Sequence, residues 1–154
     1  MGASVLDIDN IARIGLLFID GDKFENVLID KLSLDFDDIN YFHDDFMELK
    51  VSLLKLSLIN PDMDIKPVLW QPRPDNPRMA VPVVIGTSLP KEGPIGTDVV
   101  DANPEVYKTY TEGTPTVKKR EDGSSSYYYA VKNSDNDVVG ALELLVGSGE
   151  PRDI

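Results

Sequence analysis

Residues 37–60, with the sequence DDINYFHDDFMELKVSLLKLSLIN, decide the fold of this chain. Large apolar residues recur in this stretch at alternating steps of three and four, which places them on one face of an α-helix. Asp35 or Asp37 can cap the start of this helix and favour its dipole, and Asn60-Pro61 supplies a stop. The residues on the apolar face are Ile39, Phe42, Phe46, Leu49, Leu53 and Leu56.

A second apolar row widens the stripe on the same helix. This row consists of Met47, Val51, Leu54 and Leu58. One covering element would not bury both rows, and an uncovered apolar row is a typical contact surface. We therefore predict a central core helix over about residues 38–59, covered by a sheet on one side and by a protein partner or a second subunit on another.

The composition is typical of one soluble domain. The chain has 154 residues, of which 42% are hydrophobic and 27% are charged, as expected for a single globular unit spanning residues 1–154. No run approaches the ~20 apolar residues of a membrane-spanning helix. The chain has no cysteine and its first residues lack the pattern of a signal peptide, so we expect a cytoplasmic location.

The net charge of −12 is unevenly distributed. Residues 1–64 hold 14 acidic and 5 basic residues, so this part carries most of the negative charge. A polyanion such as DNA or RNA is a poor partner for such a surface, whereas a basic protein or a divalent cation would suit it. The same charge also serves solubility alone.

Ahead of the central helix, the sequence predicts a short helix or irregular lead-in over residues 5–13 and a buried strand over residues 14–19 (IGLLFI). Residues 20–23 have turn chemistry. Residues 27–36 then favour a returning strand that completes a hairpin, with a helix over residues 24–32 as the alternative.

Two strands are predicted after the central helix, over residues 65–70 (IKPVLW) and 79–85 (MAVPVVI). Proline cannot donate to a sheet ladder, so Pro67 is expected at an edge or near the start of its strand, and Pro82 at an edge or a bulge. The predicted loops, rich in proline and glycine, cover residues 71–78 and 86–97.

The last third of the chain predicts a short helix and a three-stranded meander. Asn103 can cap the helix, Pro104 suits its first position, and Gly113 closes it after about Thr111. Asp122-Gly123 is a hairpin signal between the first two strands. The strands are predicted over residues 114–121, 125–132 and 138–146.

Alternation along these strands predicts which side chains share a face of the sheet. On the middle strand one face carries Tyr127, Tyr129 and Val131; on the last strand one face carries Val138, Gly140, Leu142, Leu144 and Val146. The predicted fold class is therefore α+β: an antiparallel sheet that ends in the meander and packs on the helix over about residues 38–59.

Aromatic residues are the candidate ligand contacts in this sequence. Trp70, Tyr127 and Tyr129 offer rings on which a ligand could stack, although tyrosines on a strand also pack across neighbouring strands. His43 is the only histidine and is expected at the surface of the central helix. No glycine-rich phosphate-binding motif is present.

Three aspartate-containing segments form a second candidate site. They are FIDGD with Asp20 and Asp22, GTDVVDA with Asp98 and Asp101, and NSDNDVVGALELL with Asp135 and Asp137. In this order they resemble the motifs of NYN/PIN-like nucleases, whose acids bind Mg²⁺ and activate a water for phosphodiester hydrolysis. The resemblance implies a Mg²⁺-dependent nuclease that uses Asp20, Asp98, Asp135 and Asp137, with the last two at a helix N-terminus.

Residues 101–146 carry a different resemblance. A short helix followed by a meander that ends SSSYYYAVKNSDNDVVGALELLV is similar to the C-terminal part of a PAS or Cache-like sensor domain. The resemblance implies a ligand pocket between the sheet and its flanking helices, and it places Asp135 and Asp137 in a hairpin turn.

We therefore predict a non-catalytic binding or assembly domain, PAS/Cache-like in shape and without a cofactor. Its expected partners are a protein partner or a second copy of the chain, with a small-molecule ligand as a further possibility and neither membrane nor nucleic acid. The alternatives are a Mg²⁺-dependent NYN/PIN-like nuclease and an acidic interaction protein that inhibits a basic partner or joins a larger assembly.

Overall fold

The computed structural model describes residues 5–25, 44–59, 64–72, 78–85, 97–98 and 103–147. In these ranges the chain forms helices on both faces of one antiparallel sheet. The helices are α1 (Val5–Phe18), α2 (Gly21–Glu25), α3 (Asp44–Ser57) and α4 (Pro104–Glu112). The strands are β1 (Ile65–Pro72), β2 (Met79–Ile85), β3 (Thr97–Asp98), β4 (Thr116–Lys119), β5 (Ser125–Lys132) and β6 (Val138–Val146).

The sheet has the strand order β3-β2-β1-β6-β5-β4. Every pair of neighbouring strands is antiparallel. The first and last strands meet in the middle, where β1 pairs with β6 from Ile65 opposite Val146 to Trp70 opposite Ala141. The predicted α+β class is confirmed, and β4, β5 and β6 form the predicted meander.

The larger core lies between one face of the sheet and the helices α1, α2 and α3. Leu49, Leu53 and Leu56 of α3 are fully buried there, as their helical spacing predicts. The described part of α3 begins at Asp44, so residues 38–43 of the predicted helix lie outside the described ranges. Other members of this core are Ile8, Ile11, Phe24, Leu69, Tyr129, Val131, Leu142 and Leu144.

The opposite face of the sheet packs against α4. Val106 and Tyr110 of α4 form a smaller apolar cluster with Ala80, Tyr128 and Ala141. We call this surface the α4 face. It carries the candidate site described below.

The strand predicted over residues 14–19 is wrong, because these residues continue α1 up to Phe18. The apolar run has no strand alternation of its own, and the helical spacing that begins at Ile8 extends through it. Gly15 lies so close to Leu56 that a Cβ would sit 2.7 Å from Leu56 Cδ2. This close approach of α1 to α3 is a tertiary contact that a local reading of the run does not contain.

The turn predicted at residues 20–23 is the start of α2. The Asp20 carboxylate accepts hydrogen bonds from the backbone N–H groups of Asp22 at 3.0 Å and Lys23 at 3.3 Å, which is the geometry of an N-cap. The hairpin strand predicted over residues 27–36 lies outside the described residues, as does most of the alternative helix over residues 24–32.

Both strand prolines occupy tolerated positions. Pro67 is the third residue of β1, ahead of the described pairing with β2, which starts at Val68 opposite Ile85. The ladder then shifts register, so that Leu69 faces Val84 and Trp70 faces Pro82. The bulge expected beside Pro82 is therefore confirmed.

A second register shift corrects the predicted face of Val138. Val131 faces Gly140 and Lys132 faces Val138, so Val139 is an extra residue in β6. The bulge reverses the alternation at the start of the strand. Val138 consequently packs in the cluster on the α4 face, whereas Leu142 and Leu144 lie in the larger core as predicted.

The connection around α4 agrees with the sequence at the end of the helix and differs from it at three other points. Gly113 has φ of 74° and its N–H donates to the Thr109 carbonyl at 2.8 Å, so it closes the helix as predicted. Asn103 precedes the helix but its side chain makes no capping hydrogen bond. Strand β4 is shorter than the predicted span of 114–121, and Thr97 pairs in β3 instead of ending a loop.

None of the helices in the described ranges combines the length and the apolar character needed to cross a membrane.

Candidate functional site

The α4 face holds a buried carboxylate at its centre. Glu143 of β6 is only 4% exposed. The indole Nε1–H of Trp70 on β1 donates to its Oε1 at 2.8 Å, and the Ser126 hydroxyl on β5 donates to its Oε2 at 2.6 Å. Two neighbouring strands therefore both supply donors to this one group.

Arg120 compensates the charge of Glu143. Its Nη2 lies 3.5 Å from Glu143 Oε2, and its Nε and Nη2 donate to the Ser126 oxygen at 3.1 and 3.0 Å. The β4–β5 hairpin positions Arg120, because its backbone N–H donates to the Ser124 carbonyl at 2.9 Å. Burying a carboxylate is costly unless it is paired and hydrogen-bonded in this way.

The network continues from Ser126 and Glu143 toward the start of α4. Tyr128 faces Glu143 directly across β5 and β6, and its ring is fully buried. The Asn103 side-chain amide donates to the Tyr128 oxygen at 2.8 Å. This contact explains why Asn103 does not cap α4: its side chain turns to the sheet instead.

Asn103 retains an unused hydrogen-bonding atom. The residue is 8% exposed, and its Oδ1 has no hydrogen-bond partner among the described residues. The side-chain amide of Asn103 can be built in two orientations that exchange its oxygen and nitrogen. In either orientation only one of the two atoms contacts Tyr128, and the other has no partner in the described part of the chain. In the first turn of α4, Glu105 Oε2 is also buried without a partner in the described ranges. Buried polar atoms are rarely left unpaired, so each of these two atoms has hydrogen-bonding capacity that the described residues do not use.

Electrostatics keep Tyr128 neutral. Burial, followed by the negative charge of Glu143, raises the pKa of the Tyr128 phenol to about 12. The phenol therefore retains its proton at neutral pH and acts as a hydrogen-bonding group.

A shallow pocket of about 230 Å³ opens beside this network, at the end of the sheet away from α4. Asp122 contributes a charged wall, because hydrogen bonds from the side chain and the backbone N–H of Ser124 lower its pKa. Its volume is below the range of about 300–1,000 Å³ that is usual for ligand pockets. The pocket is lined by Asp64, Lys66, Asp122, Ser124, Leu145 and Gly147.

The three aromatic candidates from the sequence lie on different faces of the sheet. Trp70 belongs to the network on the α4 face. Tyr127 and Tyr129 pack against the larger core on the other face. The Tyr129 hydroxyl donates to Asp9 Oδ1 at 2.7 Å, which ties α1 to the sheet, and burial together with Asp9 raises its pKa.

The aspartates predicted to bind Mg²⁺ occupy turns and caps where they are described. Asp20 caps α2, while Asp135 and Asp137 are exposed in the β5–β6 turn. Asp98 of β3 pairs with Met79 of β2 through the backbone. The side chain of Asp98 lies outside the described part of the structure, and so do the residues Asp101 and His43. Within the described ranges, no group of three or more acidic or histidine side chains is arranged to hold a metal ion.

Asp22 has a structural role that the sequence did not predict. Its Oδ1 accepts hydrogen bonds from the backbone N–H of Ser134 at 3.0 Å and from the Ser134 hydroxyl at 3.1 Å. Asn133 of the same turn donates to Glu25 at 2.9 Å. Two acidic residues of α2, Asp22 and Glu25, therefore hold the β5–β6 turn in place.

Comparison with known proteins does not identify the site. No protein-family model matches the chain, and no curated protein is significantly similar to it. Its function is therefore inferred from the residues and geometry of the α4 face.

The sequence did contain a signal for the central residue of this site. Glu143 is the only charged residue in VVGALELLV, a strand otherwise composed of apolar residues and glycine. A single acid inside such a strand is costly unless partners compensate it. Its partners, Ser126 and Arg120, are distant in sequence and gave no local signal of their own.

Proposed function

We propose that this chain is a non-catalytic ligand-binding domain, PAS/Cache-like in shape, which holds a small polar molecule between the sheet and the start of α4. The observation that carries the proposal is the buried, partly unsatisfied Asn103 amide beside Tyr128. A ligand with a hydrogen-bond donor, such as an amine, amide or hydroxyl group, would complete it.

The arrangement of the sheet supports this proposal. The sheet contains the strand order β2-β1-β6-β5-β4, and α4 covers one face of this sheet; a sheet with flanking helices is what the resemblance of residues 101–146 implies. In a PAS-like domain the ligand lies between the sheet and its flanking helices. The corresponding surface in this chain is the α4 face.

The side chains on this face support binding rather than catalysis. Glu143 is already paired with Arg120 and Ser126, and the Tyr128 phenol has a raised pKa. Both side chains therefore act as hydrogen-bonding groups within the α4 face. Trp70 supplies an aromatic ring to the α4 face, and Asn103 supplies a polar group to the same face through its contact with Tyr128.

Trp70 provides a direct test, because it is the only tryptophan in the chain. We would titrate a set of amino acids, amines and small carboxylates while following tryptophan fluorescence and the indole N–H resonance. A ligand on the α4 face is expected to shift the indole resonance, since this N–H donates to Glu143. Asn103→Ala should weaken that ligand by about tenfold, because one buried hydrogen bond is lost.

Tyr127→Phe is the matched control, because Tyr127 lies on the opposite face of the sheet. The control should bind the same ligand with unchanged affinity. A ligand can shift the indole resonance and still bind wild type and Asn103→Ala with the same affinity. That result would show that the site is wrongly assigned. If no compound in the set shifts the resonance, binding of small polar molecules on the α4 face is rejected.

A further inference from the structure

A row of large apolar side chains on α3 remains exposed to solvent. It consists of Met47, Val51 and Leu54 on the helix and Leu58 in its closing turn, with exposures of 48%, 45%, 37% and 73%. We propose that this row is the interface for a second copy of the chain, and that the two α3 helices pack against each other in antiparallel orientation around a two-fold axis.

The row lies directly opposite the buried side of α3, so the prediction that it widens the buried stripe is wrong. Leu49, Leu53 and Leu56 face the sheet and are fully buried. At 100° per residue, the exposed row is centred about half a turn away from them. The helix therefore has two separate apolar faces, and the elements described in this structure cover only one of them.

The spacing of the exposed row is that of a coiled-coil seam. Its members are separated by four, three and four residues, which corresponds to d, a, d and a positions of a heptad. In an antiparallel pair, Met47 would face Leu58 of the second copy and Val51 would face Leu54. Each layer then combines one a and one d residue, so the row is complementary to itself.

The charges beside the row favour the antiparallel orientation. Glu48 and Lys55 both occupy e positions on the same flank, and antiparallel helices bring e positions of the two copies together. Glu48 would thus meet Lys55 of the second copy twice in each dimer. A parallel pair would instead place Lys50, at a g position, against Lys55, and these charges repel.

The contacts that Glu48 makes within one copy do not prevent it from also contacting Lys55 of a second copy. Glu48 already pairs with Lys23 of α2, but the Lys23 and Glu48 side chains remain 40% and 56% exposed. The end of α1 lies beside α3 on the flank that carries Glu48 and Lys55, since the Phe18 carbonyl is 3.5 Å from Ser52 Oγ. Leu17 and Phe18 are themselves exposed and would extend the apolar surface that the second copy covers.

Sedimentation analysis of the whole chain over a wide range of concentrations tests the proposal. We expect a reversible dimer that Val51→Glu weakens by about a hundredfold or more, because a charge would enter an apolar layer in both copies. Val117→Glu is the matched control, since Val117 is a valine of similar exposure on β4. A monomer at every concentration, or equal behaviour of the two variants, would overturn the proposal.

Introduced cysteines test the orientation, because the chain has none of its own. A mixture of Met47→Cys and Leu58→Cys proteins should form a disulfide-linked pair on mild oxidation. Met47→Cys alone should not, since a rise of 1.5 Å per residue separates the two copies of position 47 by about 16 Å along the axis. Crosslinking of Met47→Cys to itself, or no crosslink in the mixture, would reject the antiparallel pair.

Charge reversal tests the flanking contacts. Lys55→Glu should weaken the dimer by roughly threefold to tenfold, because two ion pairs are lost per dimer. The double variant Glu48→Lys with Lys55→Glu should restore most of this loss. If the double variant is weaker than Lys55→Glu alone, Glu48 and Lys55 do not meet across the interface. These tests use none of the residues on the α4 face, so they are independent of ligand binding.

Discussion

Glu143 is a charged residue between two leucines of a central strand, and its surroundings show how a sheet can accommodate it. Trp70 and Ser126 donate to its two oxygens, and Arg120 supplies the opposite charge. Each contact comes from a different part of the chain. The carboxylate therefore joins β1, the β4–β5 turn and β5 through a single residue of β6.

Removing this carboxylate should be costly. Glu143→Ala would leave the Trp70 N–H and the Arg120 guanidinium without their acceptor, and we expect the free energy of unfolding to fall by about 3 kcal/mol. Glu143→Gln keeps an acceptor and should lose less. The measurement is chemical denaturation, with the exposed Glu121→Ala as a control expected to change stability by less than about 0.5 kcal/mol. A Glu143→Ala variant as stable as this control would contradict the assigned network.

Two buried tyrosines should control stability at alkaline pH. The folded-state pKa of Tyr128 is raised from 10.0 to about 12, and that of Tyr129 is also raised. Their stabilising effect is complete below the unfolded pKa near 10. It is lost as the pH rises toward the folded values, since the unfolded chain releases its protons first.

Tyr128→Phe should therefore reduce the alkaline loss of stability. Between pH 10 and about 12, the range set by Tyr128, the unfolding free energy of wild type should fall more steeply than that of the variant. The difference should be at most about 1.4 kcal/mol per pH unit. Denaturation curves at several pH values give the two slopes, and equal slopes would show that Tyr128 ionises as freely in the folded protein as in the unfolded one.

At the scale of elements, close backbone approaches set how helices and strands meet. Gly140 of β6 lies where α2 packs on the sheet, and a Cβ there would be 2.2 Å from the Trp70 carbonyl oxygen and 2.5 Å from the Phe24 ring. Phe24 is itself fully buried. The absence of a side chain at position 140 thus allows β6, β1 and α2 to converge.

Gly140→Ala should consequently destabilise the fold by about 3 kcal/mol or more, because backbone atoms of the sheet would have to move. Gly147→Ala is a suitable comparison. Its Cβ would meet the Asp64 side chain at 3.1 Å, which can rotate away, so a change below about 1 kcal/mol is expected. Thermal denaturation of both variants measures the difference, and similar melting temperatures would show that β6 can shift without cost.

At the scale of the whole molecule, the two faces of the sheet differ in character. One face is sealed by α1, α2 and α3 over a large apolar core. The other pairs a small cluster under α4 with a polar network and an open pocket. A face that combines aromatic, charged and unsatisfied polar groups is better suited to a ligand than to packing alone. The ligand and dimer proposals thus concern opposite sides of the molecule.

The acidic residues allow a decisive experiment on the nuclease alternative. The structure places Asp20 at the cap of α2, beside the hairpin turn that carries Asp135 and Asp137, since Asp22 accepts hydrogen bonds from Ser134 of that turn. The nuclease requires these acids in one site with Asp98, whereas no group of three or more acidic side chains in the described ranges is arranged to hold a metal ion. In a Mg²⁺ or Mn²⁺ titration followed by NMR, we expect the amides of these residues to respond weakly and separately. A single saturable response shared by all four would favour the nuclease and count against the ligand-binding proposal.

The sequence by itself determined those features that depend on local rules. The helical periodicity of leucines defined the buried face of α3. The alternation of side chains along the last strands, together with the hairpin signal at Asp122-Gly123, defined the meander. Gly113 defined the end of α4. Each of these is decided by residues within a few positions of one another, because backbone preferences and side-chain periodicity act locally.

Only the tertiary structure decided the remaining features, because they depend on residues far apart in the chain. The run at residues 14–19 is helical since α1 packs on α3, and Val138 faces α4 because of a bulge opposite Val131. Asn103 turns from its helix toward Tyr128, 25 residues away. The candidate site is the clearest case: its carboxylate, indole, hydroxyl and guanidinium come from separate segments, and the pairing of β1 and β5 with β6 brings them together.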